Sequence, residues 1–190
     1  MDIIWKGDTS FKIMLSDDRV VFTDPKKPVL SDMILFSSFS REKQFEFGQK
    51  NSGFIISGPG EYEVKRIFVN CQFIDKHQDN LIYEILAEEM NLMFFGKTRA
   101  LPKVESLDLL LHPDILLFPL GVPNLKPSEV RDFKKELDPK IFILYPSQEI
   151  KKDTLREVLD ILDVEDIKPV SHFKIKPKIL NGPERVVLIS

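Results

Sequence analysis

Ser57-Gly58-Pro59-Gly60-Glu61-Tyr62-Glu63-Val64 is the most informative stretch of the sequence. Its first half, Gly58-Pro59-Gly60, makes a sharp turn, because glycine tolerates positive φ and proline fixes its own. Residues 61–64 then alternate polar and apolar, the period-2 signature of a strand with one buried face. Downstream, residues 66–74 and 80–87 keep that alternation, so the region reads as a meander, and residues 91–95 add one more strand. Upstream, residues 33–36 and 54–57 are apolar tetrads expected to be buried strands. Before them lie short strands at 2–6, 11–15 and 19–23. Gly7-Asp8-Thr9-Ser10 breaks the first pair, and Ser16-Asp17-Asp18 forms a hairpin turn where Asp and Ser bond their own backbone.

The C-terminal half changes character. Strands at 114–118 and 140–144 are each followed by a helical pattern. The first helix opens at Pro127 and carries Val130, Phe133 and Leu137 on one face. The second, over 151–162, carries Leu155, Val158, Leu159 and Leu162, a stripe expected to face the core. Alternation returns at 172–179 and 184–189. With no repeat and no linker, the chain reads as one domain over residues 1–190, an α/β (α+β) fold of two sheets with helices outside.

Composition narrows the function classes. Lys and Arg number 27 against 30 Asp and Glu, a net charge of −3, which argues against a specific nucleic-acid or anionic-membrane binder. One cysteine, Cys71, excludes a disulfide framework, and its apolar run predicts a buried, inert thiol. No basic segment followed by an apolar one opens the chain, and no apolar stretch is long enough to span a bilayer, so the expectation is a cytoplasmic protein. Histidine is scarce: His77, His112 and His172 lie far apart and show no ligand spacing.

Four segments resemble the metallo-β-lactamase superfamily, in particular its UlaG-like, Zn-dependent hydrolase-like branch. They are Ile3-Ile4-Trp5-Lys6-Gly7-Asp8-Thr9-Ser10-Phe11-Lys12-Ile13, Val21-Phe22-Thr23-Asp24-Pro25, the run 57–64 quoted above, and Asp138-Pro139-Lys140-Ile141-Phe142-Ile143. The resemblance implies a four-layer αββα sandwich and, at its edge, zinc held by a His-x-His-x-Asp-His loop, a later Asp and one or two later His. A bound metal would lower the pKa of its water toward 7.

The residues depart from that pattern at each aligned ligand. Ser38 and Ser40 stand at the first two histidines, Glu42 at the aspartate and Lys43 at the third histidine. Lys97 follows Gly96 where the family has Gly-Asp, Tyr145-Pro146-Ser147 replaces the late histidine, and Asp8 stands at the His of the opening turn. Serine hydroxyls are poor zinc ligands and lysines repel a dication, so no zinc and no other cofactor is expected. The resemblance leaves a vestigial cleft lined by Asp8, Thr9, Ser38, Ser40, Arg41, Lys43 and Lys97, whose cations suit a small anionic ligand. A protein partner or a homo-oligomer is the other expected association. The contrasting expectation is an atypical metal-dependent hydrolase, rebuilt from Asp8, Asp24, Glu42 and Glu61 around a hard cation or completed by another subunit. A serine nucleophile activated by Lys43 or Lys97 is a weaker option, since Ser-rich loops are mostly solvated. Lys174, Lys176 and Lys178 share one face of the last region, a row that more often guards an edge strand than binds phosphate.

Overall fold

The computed structural model describes residues 1–44, 53–74, 79–98, 100–107, 112–147, 150–176 and 180–190. Two mixed sheets face each other. The six-stranded sheet contains β1 (Asp2–Trp5), β2 (Phe11–Met14), β3 (Val20–Thr23), β4 (Met33–Leu35), β5 (Phe54–Ile56) and β12 (His172–Lys174), in the order β12-β1-β2-β3-β4-β5. The seven-stranded sheet contains β6 (Gly60–Val64), β7 (Ile67–Phe73), β8 (Leu81–Ala87), β9 (Met90–Phe94), β10 (Ile115–Leu120), β11 (Ile141–Pro146) and β13 (Arg185–Leu188), in the order β13-β11-β10-β9-β8-β7-β6.

Alternation explains the core. Phe11, Ile13, Val21, Met33 and Leu35 project from one sheet onto Val69, Tyr83, Ile85, Leu92, Phe94 and Leu117 from the other. Strands β10 and β11 are buried on both faces because helices cover their outer side. Those helices are α2 (Pro127–Leu137) and α3 (Lys152–Ile161), whose Val130, Phe133, Leu137 and Val158 pack on Phe95, Phe118 and Phe142. On the outer face of the six-stranded sheet, Ile34 and Phe36 pack with Val29 and Ile55. The short helix α1 (Phe39–Gln44) follows β4. Among the described residues no helix is long and apolar enough to cross a membrane.

The two long sides of the sandwich differ. On one, the 170–171 segment joins both sheets: Val170 N–H donates to the Leu188 carbonyl at 2.9 Å, and Trp5 N–H donates to the Ser171 carbonyl at 2.9 Å. On the other side β5 and β6 are terminal strands joined by residues 57–59, and there the rings of Phe54 and Tyr62 lie 6.2 Å apart. This corrects one expectation. Residues 54–57 do form a strand, but at a sheet edge, and Phe54 is 48% exposed. The strand expected over 172–179 is also shorter. It ends at Lys174, and Lys178 lies outside the described residues.

Candidate functional site

Parallel pairing brings several strand ends to one edge of the sandwich. Strands β3 and β4 run parallel, as do β9, β10 and β11, so Asp24, Ser37, Gly96 and Ser147 all follow carboxyl ends of strands. The crevice outside such ends is where open α/β sheets place ligands.

Asp24 is the hub there. It is 2% exposed and sits in the left-handed region at φ 40°. One carboxylate oxygen, Oδ2, accepts from Thr9 Oγ1 and Ser37 Oγ, both at 2.5 Å. The other, Oδ1, accepts from Ser37 N–H at 2.8 Å. Buried charges are tolerated when they are hydrogen-bonded in this way, and ionised acceptors give short, strong bonds. Thr23 fixes the donor loop behind it. Its hydroxyl donates to the Thr9 carbonyl at 2.8 Å and accepts from Phe11 N–H at 2.9 Å.

Two tyrosines close the network from below. Tyr145, where the resemblance places a histidine, is fully buried, donates to the Gly96 carbonyl at 2.7 Å and stands edge-on to Phe11 at 4.9 Å. Burial, then the charges of Asp24 and Asp8, raises its phenol well above the usual tyrosine value. Tyr83 spans the sheets, donating to the Phe36 carbonyl at 2.6 Å and the Ile56 carbonyl at 3.1 Å. Burial likewise pushes it up, and pushes the Cys71 thiol beside it up to about 12, so that thiol stays protonated and inert at neutral pH. Gly96 is required at its place. Its φ is +58°, and a Cβ there would lie 2.2 Å from the Ser37 Cβ.

The expected cleft residues separate into two groups. Thr9 and Ser38 are buried, Asp8 is half-buried in the turn after β1 with φ 55°, and Ser40 and Lys97 are exposed. Ser38 and Ser40 touch through their hydroxyls at 2.9 Å, and Asp79 accepts from the backbone N–H groups of Phe39 and Ser40 at 2.8 and 2.9 Å. Arg41 and Lys43 fall on α1, and their side chains lie outside the described residues, as does His77. The carboxylates of the rebuilt-site expectation do not gather: Glu61 is exposed on the edge strand β6, while Asp24 is engaged by hydroxyls. His172 stands on β12 near Asp2, 3.7 Å from its carboxylate, and His112 is exposed. Two participants were not among the expected cleft residues. Asp24 belongs to the rebuilt-site expectation, and Ser37 to the run Ser37, Ser38, Ser40 read as candidate nucleophiles. A signal for both is the Thr23-Asp24 step at the end of β3, beside Ser37 two residues after β4.

Zinc takes imidazole, thiolate or carboxylate donors. Among the described residues this end of the sandwich offers hydroxyls, a phenol and the carboxylates of Asp24, which already accepts three hydrogen bonds, of Asp8 in the turn after β1, and of Asp79, which accepts from two backbone N–H groups; without an imidazole or thiolate beside them, this donor set does not fit the family's zinc. Among the described residues no three of His, Cys, Asp and Glu come together as a metal would need.

Comparisons with known proteins agree with this architecture. Residues 2–144 match the family model described as "Beta-lactamase superfamily domain". A proposed Zn-dependent hydrolase of the metallo-β-lactamase superfamily from Thermotoga maritima superposes with a TM-score of 0.76 at 20% identity, covering 99% of this chain and 97% of that one. The metallo-β-lactamase fold protein YhfI from Bacillus subtilis gives a TM-score of 0.61 at 8% identity, over 84% of this chain and 92% of that one. No curated protein matches the sequence.

Proposed function

The chain belongs to the beta-lactamase superfamily, and we propose that within it the protein is a catalytically degenerate member that binds a small anion or a protein partner instead of hydrolysing a substrate on zinc. The observation that carries this reading is the engagement of Asp24 by three hydrogen-bond donors. Thr9 and Ser37 occupy both of its oxygens, and Tyr145 fills the interior next to Gly96. A metal arriving there would have to displace three hydrogen bonds to a buried carboxylate, each contributing about 1.5–3 kcal/mol. Hydroxyls and lysines at the ligand positions of the family give nothing comparable in return. The exposed rim that remains, with Ser40 and Lys97 in solvent, is the surface on which an anion would be recognised.

Two measurements test the reading. Tag-free protein purified without chelators is expected to carry less than a tenth of an equivalent of zinc, iron or manganese by ICP-MS. Its melting temperature is expected to rise with at least one of phosphate, nucleotide or carboxylate ligands. Near-stoichiometric transition metal would overturn it, and so would a melting temperature that none of these anions moves. The second reading, a metal-dependent hydrolase with a rebuilt or intersubunit site, is favoured by the overlap with the Thermotoga maritima protein along nearly its whole length. It predicts phosphodiester, lactone or lactam hydrolysis that EDTA abolishes.

A further inference from the structure

Helix α3 packs its apolar stripe on the core and borders an open groove along the edge of that stripe. Of its apolar stripe Val158 is buried, while Leu155 and Leu159 pack against the core from partly buried positions and also line a groove of about 470 Å³ between the helix and residues 164–167. The charges on the groove's rim are sorted. Lys152 and Arg156 lie toward the N-terminal end, and Asp160, Glu165 and Asp166 lie toward the C-terminal end, all exposed. Positions 152, 156 and 160 are four apart, so they form a row beside the leucines on one side of the helix. Asp153 and Glu157 continue further round, away from the groove.

We propose that this groove is the contact between two copies of the chain, with α3 of each copy lying antiparallel across the other. The argument is complementarity. A basic-to-acidic row matches its own reverse, so a two-fold axis crossing α3 between Arg156 and Asp160 sets Arg156 against the partner's Asp160, and Lys152 against the partner's Glu165. The same rotation repeats both pairings, which is what an isologous interface requires. A parallel or translated arrangement would set like charges together, at a cost of several kcal/mol. The leucines then supply the dry centre and the ion pairs the rim. A stable dimer buries roughly 800 Å² per partner, and a single ten-residue helix with its flanking loop presents less than that. The dimer is therefore weak and salt-sensitive.

Sedimentation across micromolar protein concentrations tests the proposal, using the wild type, the double variant Lys152→Glu/Arg156→Glu and the double variant Asp160→Lys/Glu165→Lys. All four side chains are exposed, and circular dichroism checks that each variant folds. The wild type is expected to dimerise, and each variant is expected to weaken self-association about tenfold or more. Mixing the two variants is expected to restore a dimer, because every pairing in the heterodimer is again opposite in sign. Raising salt is expected to dissociate the wild type, a readout that stands even if a variant folds poorly. A monomeric wild type overturns the proposal, as does a dimer indifferent to the charge reversals or to salt, or a mixture that stays monomeric.

Discussion

Asp24 and Asp32 stand at opposite ends of the parallel pair β3–β4, and the chain holds them by different physics. Asp24 follows β3, is buried, and takes its hydrogen bonds from two neutral hydroxyls and a backbone amide. Asp32 precedes β4, is partly exposed, and takes them from the Lys65 ammonium at 2.6 Å and from Val20 N–H at 2.8 Å. At the wet end a full countercharge is cheap to supply and screened by water. At the dry end a buried lysine would itself need solvating, so hydroxyls do the work instead. The lesson is that charge neutrality between side chains is a poor guide to where a buried carboxylate will sit.

That contrast can be broken at four points. Replacing Asp24→Ala strands the Thr9 and Ser37 hydroxyls and the Ser37 amide in the interior, and is expected to cost about 3–5 kcal/mol by urea denaturation. A loss below about 1 kcal/mol would mean that water reaches the site freely. Gly96→Ala meets both the left-handed φ and the Ser37 side chain, and should cost about 2–4 kcal/mol, read as a lower denaturant midpoint. Tyr145→Phe keeps the ring against Phe11 but leaves the Gly96 carbonyl without its phenol. A loss of about 1–3 kcal/mol is expected, and a neutral result would show that Gly96 O finds another donor.

The smallest effect belongs to the wet end. Lys65→Ala should cost about 0.2–1 kcal/mol at neutral pH. The hydrogen bond from Lys65, with lesser help from Val20 N–H and Arg19, holds the Asp32 carboxyl below its ordinary value of 3.8. A depressed folded-state value stabilises the fold above the unfolded value, and the gain is lost as pH falls through the folded one. The difference between wild type and Lys65→Ala is therefore expected to be full near pH 6 and to be lost in acid as pH falls below 3.8 and through the folded value, followed by thermal melts. A gap that widened in acid would rule out this pairing.

Much of the fold was legible because it is local. The hairpin at 16–18, the meander after Gly60 and the helix faces of Val130, Phe133 and Leu137 follow from period and turn chemistry, and each occurs in the structure. The exposure of Phe54 was not legible. An apolar tetrad has the same pattern at the centre or the edge of a sheet, and only strand order decides. The candidate site was legible in place more than in parts. Thr9 lies in the turn between β1 and β2 and Ser38 just after β4, but hydroxyls at the family's ligand positions point to Ser38 and Ser40, whereas the role of Ser37 depends on Asp24 folding over it.

The segment at 170–171 has a dynamic consequence. Because it takes part in the hydrogen bonding of both sheets, that side cannot open without breaking Val170 to Leu188 and Trp5 to Ser171 together. Strands β5 and β6 are terminal in their sheets, and although residues 57–59 connect them, no backbone hydrogen bond between the two strands occurs among the described residues. In native-state hydrogen exchange, amides along β5 and β6 should report low-energy local openings, whereas those of Trp5 and Val170 should exchange only with the largest cooperative unit.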